Sequence, residues 1–228
     1  MSKNTIIIHA AILDKCKERV LQYLDIIESS NLIKSVEFIF ICFIGNNEIP
    51  VKDTDIVKYN YDNKIKLGKL SNNLLDYELP TLNFLYNFCV KNPQHNVLYL
   101  HTKNVGKELN PCIEDQIQYM LYFLITKWEK CVNALLGCET CGVDLRVAPT
   151  LHYSGNFWWS TANNIISLPS PIQFNNLNRY PNQLNSLRHN QEFWVCYNKN
   201  NKHISLWDCG INVYERHLHR YPPSLYAS

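Results

Sequence analysis

The segments Thr5-Ile-Ile-Ile-His-Ala10 and Val36-Glu-Phe-Ile-Phe-Ile-Cys-Phe-Ile44 decide the fold of this chain. Both are short, apolar and rich in β-branched side chains, a pattern typical of strands that are buried on both faces. Between them, apolar residues recur at helical spacing from Leu13 to Ile27, which predicts a helix with one apolar face. A strand, a helix and another strand in this order predict a parallel sheet with helices packed against it.

The same alternation continues through the first half of the chain. A short third strand is expected at residues 56–59, followed by a polar loop at residues 64–77. Proline near its start predicts a helix at residues 80–91, and the apolar run at residues 97–100 predicts another buried strand.

The second half is less regular. A long helix is expected at residues 110–137, a strand at 140–148, a helix at 158–168 and a last strand at 203–207. A Pro- and Asn-rich loop is expected at residues 169–187. Since neither a repeat nor a linker interrupts the chain, we assign one α/β domain with a mostly parallel central sheet and helices on both faces.

The bulk composition excludes several classes of protein. Charged residues make up 18% of the 228-residue chain and the formal net charge is +2, too little to favour binding of nucleic acid or an anionic membrane. No apolar run approaches the length of a membrane span, and the N-terminal run is too short for a signal peptide. The nine cysteines mostly lie in apolar contexts, which indicates buried, reduced thiols in a cytoplasmic protein.

The segment His152-Tyr-Ser-Gly-Asn-Phe-Trp-Trp159 combines two of the five tryptophans with several hydrogen-bonding side chains. A sugar ring has a rim of hydroxyl groups and an apolar face, so a mixture of amide, hydroxyl and flat aromatic groups suits it. The alternative is an aromatic core helix that begins at a Ser or Asn cap. On this segment alone, the two interpretations are equally well supported.

Polar residues follow two predicted strands at their carboxyl ends, where open parallel sheets bind ligands. His9 lies at the end of the first strand, and His101-Thr102-Lys103 follows the strand at residues 97–100. Lys103 can neutralise a diphosphate, and His101 can bind phosphate or a metal. The alternative is a solvent-facing turn with ordinary polar residues, which this motif alone favours.

Two further patterns suggest a metal or redox site. Asp53-Thr54-Asp55 has the paired carboxylates that hold Mg²⁺ or Mn²⁺ against phosphates, but no apolar strand runs into it, so a solvated loop is expected. Cys138-Glu-Thr-Cys141 has the spacing of a zinc or redox pair, but no second pair of ligands follows closely. Buried thiols are therefore the preferred interpretation.

The carboxylates considered for acid–base chemistry are Glu78, Asp115, Asp144 and Glu192. Glu192 is the first choice because its neighbours Phe193 and Trp194 can shield it from water, and Asp144 is the second. The alternative for Glu192 is an ordinary surface side chain on an amphipathic turn.

Six segments, taken together and in order, resemble a family of single-domain glycosyltransferase-like proteins found in large DNA viruses and some microbes. They cover most of the chain up to about Trp194, and the His-Thr-Lys segment is also similar to that of rhamnan-synthesis glycosyltransferases. The six segments are Ile-Ile-Ile-His-Ala (6–10), Tyr-Glu-Leu-Pro-Thr-Leu (77–82), Leu-Tyr-Leu-His-Thr-Lys (98–103), Tyr-Met-Leu-Tyr-Phe-Leu-Ile-Thr-Lys-Trp (119–128), Thr-Cys-Gly-Val (140–143) and His-Tyr-Ser-Gly-Asn-Phe-Trp-Trp (152–159).

The resemblance implies a GT-A fold, with a nucleotide-sugar-binding half at about residues 1–105 and an acceptor-binding half at about residues 106–228. It implies a hexosyl- or deoxyhexosyltransferase that uses a nucleotide-sugar donor and a glycan or other hydroxyl acceptor. The donor-binding residues would be His9, Ala10, Ala11, Tyr77, Glu78, Thr81, His101, Thr102 and Lys103. The acceptor-binding residues would be His152, Ser154, Asn156, Trp158 and Trp159. The catalytic base would be Glu192 or Asp144.

The chain departs from this family pattern at the expected metal site. GT-A enzymes usually hold the donor metal with Asp-x-Asp at a strand end, where this chain has His101-Thr102-Lys103, so a requirement for Mn²⁺ or Mg²⁺ is left open. A viral member of the family would act in the host cytoplasm or be carried in the virion. The alternative function is a catalytically degenerate carbohydrate-binding or structural protein of the same fold.

Overall fold

The computed structural model describes residues 3–59, 63–106, 108, 110–177, 186–212 and 215–227. The strands of this part are β1 (Lys3–Ala11), β2 (Val36–Ile44), β3 (Ile65–Ser71), β4 (His95–His101), β5 (Thr140–Gly142), β6 (Leu145–Arg146), β7 (His152–Tyr153), β8 (Trp158–Thr161) and β9 (His203–Ser205). Seven of them form a central sheet in the order β3-β2-β1-β4-β8-β5-β9, and β6 pairs with β7 in a small second sheet.

The central sheet is mostly parallel, which confirms the prediction. β1 pairs in parallel with β2 on one side and with β4 on the other, and β3 extends the sheet beyond β2. β8 is antiparallel to both β4 and β5, and β9 is parallel to β5. Because the chain moves outward from β1 to β3 and then returns to β4, the carboxyl ends of β1 and β4 form a switch point of the topology.

The helices are α1 (Cys16–Ser29), α2 (Leu32–Ser35), α3 (Asp53–Ile56), α4 (Leu79–Lys91), α5 (Pro111–Leu121), α6 (Trp128–Ala134), α7 (Ala162–Ser167), α8 (Pro171–Asn176) and α9 (Ser186–Phe193). The long helix expected at residues 110–137 is divided, since the π-helix Tyr122–Thr126 separates α5 from α6. Within the described residues, no helix has both the length and the apolar character that a membrane crossing requires.

Apolar side chains cover both faces of the sheet. Ile6, Ile7 and Ile8 of β1 are fully buried. Ile6 and Ile8 belong to a core that includes side chains of α1, α5 and α6, whereas Ile7 belongs to a second core that includes side chains of α4, α7 and α9. This explains the uninterrupted apolar run of β1 and confirms the prediction of helices on both faces.

The third strand lies later in the chain than the sequence predicts. α3 ends at Ile56, so residues 56–59 form no strand, and β3 occupies part of the expected loop at residues 64–77. β3 is an edge strand in which only Ile65 is buried. An edge strand accepts Lys and Ser side chains on its exposed surface, so β3 lacks the apolar run that identifies the central strands.

The helix expected at residues 158–168 begins four residues later, because Trp158–Thr161 form β8 and Ala162–Ser167 form α7. The Thr161 side chain caps α7 by accepting a hydrogen bond from Asn164 N at 3.2 Å. The loop expected at residues 169–187 contains α8, and its residues 178–185 lie outside the described part of the chain.

Candidate functional site

A pocket of about 470 Å³ lies at the switch point between β1 and β4. Its aliphatic lining comes from Leu13, Ile44, Leu74, Leu75, Val105 and Ile113. Its polar lining comes from His9, Tyr77, Glu78, His101, Thr102, Lys103, Asn104 and Arg188. Ala11 also lines the pocket, while Ala10 is buried in the core and Thr81 is buried behind His9. The fold thus brings seven of the nine residues that the sequence assigned to donor binding into one pocket.

Thr102 joins the ends of β1 and β4 at the base of this pocket. Its backbone N–H donates to His9 O at 2.8 Å, and its Oγ1 accepts from Ala11 N at 3.0 Å. Tyr23 of α1 donates its hydroxyl to His101 O at 3.0 Å. These three hydrogen bonds hold the backbone of the His101-Thr102-Lys103 motif in place.

The two histidines of the pocket are uncharged at neutral pH. Burial lowers the pKa of His9 to about 4. Burial, together with the positive charge of Lys103, lowers the pKa of His101 to about 3, although His101 donates from Nε2 to Gly155 O at 2.9 Å. Among the described lining residues, positive charge therefore comes from Lys103 and Arg188.

Glu78 places a carboxylate in the wall of the pocket and is only 8% exposed. Its Oε2 accepts from the Tyr99 hydroxyl at 2.6 Å and from Asn156 Nδ2 at 2.7 Å. Trp158 Nε1 donates to Asn156 Oδ1 at 2.8 Å, and Glu78 N donates to Gln191 Oε1 at 2.6 Å. The carboxylate is thus positioned by residues from β4, β8, α9 and the loop before β8.

The backbone around the pocket contains several positive φ angles. Tyr77 and Asn104, which line the pocket, have φ values of 47° and 59°. In the loop before β8, Gly155 and Asn156 also have positive φ values, 100° and 55°. A Cβ atom at Gly155 would lie 2.7 Å from Met120 Sδ, so only glycine fits there without displacement. Such conformations are costly and concentrate at ligand sites.

Helix α9 contributes two charged residues near the pocket. Arg188 lines it directly. No sequence pattern predicts this position, since α9 has only eight residues and follows a segment without periodicity. Glu192 lies one helical turn after Arg188 on the same face and is half-buried. Its negative charge acts on His101, so it lies close to the pocket without lining it.

The predicted acceptor-binding residues are mostly core residues. Trp158 and Trp159 are both 0% exposed and belong to the two different cores, because they alternate across the sheet on β8. His152 is buried, and its Nδ1 lies 2.8 Å from a nearby backbone carbonyl oxygen. Ser154 is buried in the loop before β8. Asn156 is connected to the pocket through its hydrogen bond to Glu78. The aromatic pair therefore offers no exposed platform for a sugar.

Asp144 and Asp115 serve other contacts. Asp144 is 0% exposed, lies outside the pocket, and accepts from a tyrosine hydroxyl, from Arg146 and from Cys209 N. Asp115 forms an ion pair with Arg220 near the end of the chain. Its oxygens hold the C-terminal segment in place, which argues against Asp144 as the general base, the role for which it is the second candidate.

One group of three possible metal ligands lies within the described residues: Asp144, Asp208 and Cys209. Arg146 binds both of these carboxylates, at 3.1 Å from Asp144 and 3.0 Å from Asp208, so a guanidinium already supplies the positive charge there. No such group was found in the described part of the pocket, where Glu78 is the single acidic residue in the lining. With Lys103 and Arg188 beside that single carboxylate, the described lining of the pocket fits a bound anion better than a divalent metal.

The two other patterns also have structural roles. Asp55 lies in the first turn of α3, where it accepts from Lys52 N at 2.9 Å and pairs with Lys17. Cys138 and Cys141 are free, buried thiols, as are most of the other cysteines. Neither pattern lies in the pocket.

The model of a family described as "Domain of unknown function (DUF8361)" matches residues 8–206 of the chain. No curated protein matches it. Among solved structures, it is similar to a protein of Desulfovibrio desulfuricans G20 that is provisionally described as a nucleotide-diphospho-sugar transferase, with 8% identity over 91% of this chain and 81% of that one and a TM-score of 0.43. It is also similar to the manganese complex of Rv0371c from Mycobacterium tuberculosis H37Rv, with 8% identity over 95% and 98% of the two chains and a TM-score of 0.43. A third similar structure is 4-diphosphocytidyl-2C-methyl-D-erythritol synthase, with 13% identity over 73% and 78% and a TM-score of 0.37.

Proposed function

We propose that this chain, which belongs to the family described as Domain of unknown function (DUF8361), is a nucleotide-sugar-dependent glycosyltransferase. It moves a hexosyl or deoxyhexosyl group from a nucleotide-sugar donor to a hydroxyl group of a glycan or other acceptor. The observation that carries the proposal is the pocket at the switch point of the sheet, which combines two cations, one buried carboxylate and a large aliphatic surface.

The diphosphate of the donor binds between Lys103 and Arg188. Two lysine or arginine side chains suit the two charged phosphates, and the arginine can bind two oxygens at once. The uncharged imidazoles of His9 and His101 leave these two residues as the cations of the described lining. The nucleoside packs against the aliphatic side chains of the same pocket.

Lys103 and Arg188 take the place of a divalent metal in this proposal. A metal bound to a diphosphate usually has carboxylate ligands from the protein, and Glu78 is the single carboxylate that lines the described pocket. A requirement for Mn²⁺ or Mg²⁺ is tested by measuring transfer in EDTA and after addition of each metal. A rate that rises only with metal would contradict this part of the proposal.

Glu192 is the proposed general base. It follows Arg188 by one turn on the face of α9 that reaches the pocket, and its charge acts on His101. In a direct displacement, the acceptor hydroxyl gives its proton to Glu192 while its oxygen bonds to the anomeric carbon. The bond from that carbon to the phosphate oxygen breaks, and its electron pair leaves with the nucleoside diphosphate.

Transfer assays with purified protein test the base directly. Glu192→Gln is expected to lower the transfer rate by about a hundredfold or more while leaving the affinity for the nucleoside diphosphate unchanged. Glu129→Gln, which removes a carboxylate on α6, is the matched control. Transfer by Glu192→Gln at the wild-type rate would exclude Glu192 as the base. Binding of nucleotide without transfer by the wild-type protein would instead support the degenerate, carbohydrate-binding alternative.

A further inference from the structure

Glu78 is held so that one of its two oxygens is committed to the protein. Both side-chain hydrogen bonds that it accepts, from Tyr99 and from Asn156, end on Oε2. Among the described residues, no hydrogen bond reaches Oε1, although the residue lines the pocket and is only 8% exposed. Oε1 is therefore the atom with which Glu78 can accept a hydrogen bond from a ligand.

The indole N–H of Trp158 can only donate, and it determines which groups donate and which accept in the hydrogen bonds around Glu78. The indole N–H of Trp158 has no acceptor capacity, so the Asn156 atom that it contacts at 2.8 Å is the carbonyl oxygen. The amide N–H of Asn156 then points at Glu78, as does the Tyr99 hydroxyl. The rings of Tyr99 and Trp158 are stacked with centroids 5.0 Å apart, and this stacking holds the Tyr99 hydroxyl and the Trp158 indole N–H in place. Two donors therefore converge on Oε2, which accepts from both.

A carboxylate at this place accepts hydroxyl groups and repels anions. Sugar hydroxyls are donors, and one carboxylate oxygen can accept from two neighbouring hydroxyls. A carboxylate on the sugar would bring a second negative charge toward Glu78, which is only 8% exposed, and repulsion between two charges is strong where the effective dielectric is low. Since His9 and His101 are uncharged and Lys103 and Arg188 are assigned to the phosphates, no further cation of the described lining offsets it.

We propose that Glu78 selects a donor with a neutral sugar, a hexose or deoxyhexose, and excludes sugars that carry a carboxylate, such as hexuronates. The inference rests on the proposed function, because it assigns the sugar subsite of the same pocket. It makes Glu78 a specificity-determining residue, distinct from the base.

The test compares two donors that differ only in this charge. Calorimetry in EDTA first identifies which of UDP, GDP, CDP, ADP and dTDP binds the wild-type protein most tightly. The hexose ester and the hexuronate ester of that nucleotide are then titrated, and the hexose ester is expected to bind about tenfold more tightly or better. Equal or tighter binding of the hexuronate ester overturns the inference while leaving the proposed function intact. If none of the nucleotides binds, the proposed function fails and the inference fails with it.

Variants test whether Glu78 causes the preference for the hexose ester over the hexuronate ester. In Glu78→Gln, the amide can direct its oxygen to Tyr99 and Asn156 and its N–H groups to the ligand, so the preference for the hexose ester is expected to shrink to about threefold or less. Glu18→Gln, which removes an exposed carboxylate from α1 outside the pocket, is the control and should keep the wild-type preference. If a folded Glu78→Gln protein keeps the full preference for the hexose ester, Glu78 is not the residue that selects the sugar. If that variant does not fold, the comparison of the two esters on the wild-type protein decides the inference.

Discussion

Burial of His9 and His101 makes the stability of this protein depend on pH. The pKa values of about 4 and about 3 in the folded chain lie below the ordinary histidine value of about 6.5 that applies to an unfolded chain. Below pH 6.5 the unfolded chain therefore binds more protons than the folded chain. The free energy of unfolding is expected to fall by about 1.4 kcal/mol per pH unit for each histidine as pH decreases from about 6.5 toward 4.

Urea denaturation between about pH 4.5 and pH 7.5 measures this dependence. His9→Gln removes one of these two imidazoles, so the slope of unfolding free energy against pH should decrease by about one proton. Asn133→Gln, at an exposed position of α6, changes no titratable group, so this control should leave the slope unchanged. A wild-type slope in His9→Gln would show that the histidine is not held uncharged.

Lys103 is expected to contribute directly to nucleotide affinity. Lys103→Ala removes a charged donor from the pocket, and a hydrogen bond to a charged group is worth about 1.5–3 kcal/mol, so the affinity for a nucleoside diphosphate should fall by about tenfold or more. Calorimetry measures the change. Lys66→Ala on the edge strand β3 lies outside the pocket and is the matched control. Equal affinities of Lys103→Ala and wild type would remove Lys103 from the diphosphate site.

The residues at strand ends were accessible to sequence reasoning, whereas those placed by long-range packing were not. His9 and the His101-Thr102-Lys103 motif follow apolar runs directly, so their position at the edge of a parallel sheet could be predicted. Arg188 enters the pocket through the packing of α9, which no local pattern indicates. The roles proposed for these pocket residues stay predictions, as does the viral affiliation that the motifs suggest.

At the scale of the element, the loop before β8 depends on a glycine. Gly155 has φ of 100° and lies against Met120, so Gly155→Ala is expected to displace the loop and with it Asn156, the support of Glu78. The substitution should lower the free energy of unfolding by about 1–3 kcal/mol and weaken nucleotide-sugar binding.

Gly137→Ala is the matched control for this substitution. A Cβ atom at Gly137 meets no atom within 4 Å, so this variant is expected to keep wild-type stability and affinity. Urea denaturation and calorimetry of both variants make the comparison. Equal stability and affinity of Gly155→Ala and Gly137→Ala would show that the loop does not hold the pocket in shape.

Predictability differed between elements for a physical reason. β1, β2 and β4 are buried on both faces, so an apolar run identifies each of them. β3 at the edge and the four-residue β8 carry no such run. The sequence predicts a helix in place of β8 because an aromatic pair suits a helix and a strand equally. The same ambiguity affects the prediction that Trp158 and Trp159 bind an acceptor sugar, since both side chains are fully buried.

At the scale of the whole molecule, Asp144 connects the central sheet to the C-terminal segment. It binds Cys209 N and Arg146, which in turn binds Asp208. Asp144→Asn leaves Arg146 with one fewer carboxylate in a buried setting and is expected to lower the free energy of unfolding by about 2–4 kcal/mol. The transfer rate per folded molecule should not change, because Asp144 lies outside the pocket. A stable Asp144→Asn protein without transferase activity would contradict this structural role.

The pocket itself is assembled from distant parts of the chain. His9 comes from β1, Glu78 precedes α4, Lys103 follows β4, and Arg188 comes from α9. Both of the halves expected from the sequence, divided near residue 105, therefore supply lining residues. A boundary between a donor half and an acceptor half stays a prediction, since each of the two cores combines side chains from before and after residue 105.

The central claim is that this pocket binds the diphosphate of a nucleotide sugar through Lys103 and Arg188. Calorimetric titration of UDP, GDP, CDP, ADP and dTDP in EDTA, into the wild-type protein and into the double variant Lys103→Ala/Arg188→Ala, tests it most directly. We expect at least one nucleotide to bind the wild-type protein with one site per chain, and its affinity to fall by about a hundredfold or more in the double variant. Binding of equal strength to both proteins, or of no nucleotide to the wild-type protein, would contradict the claim.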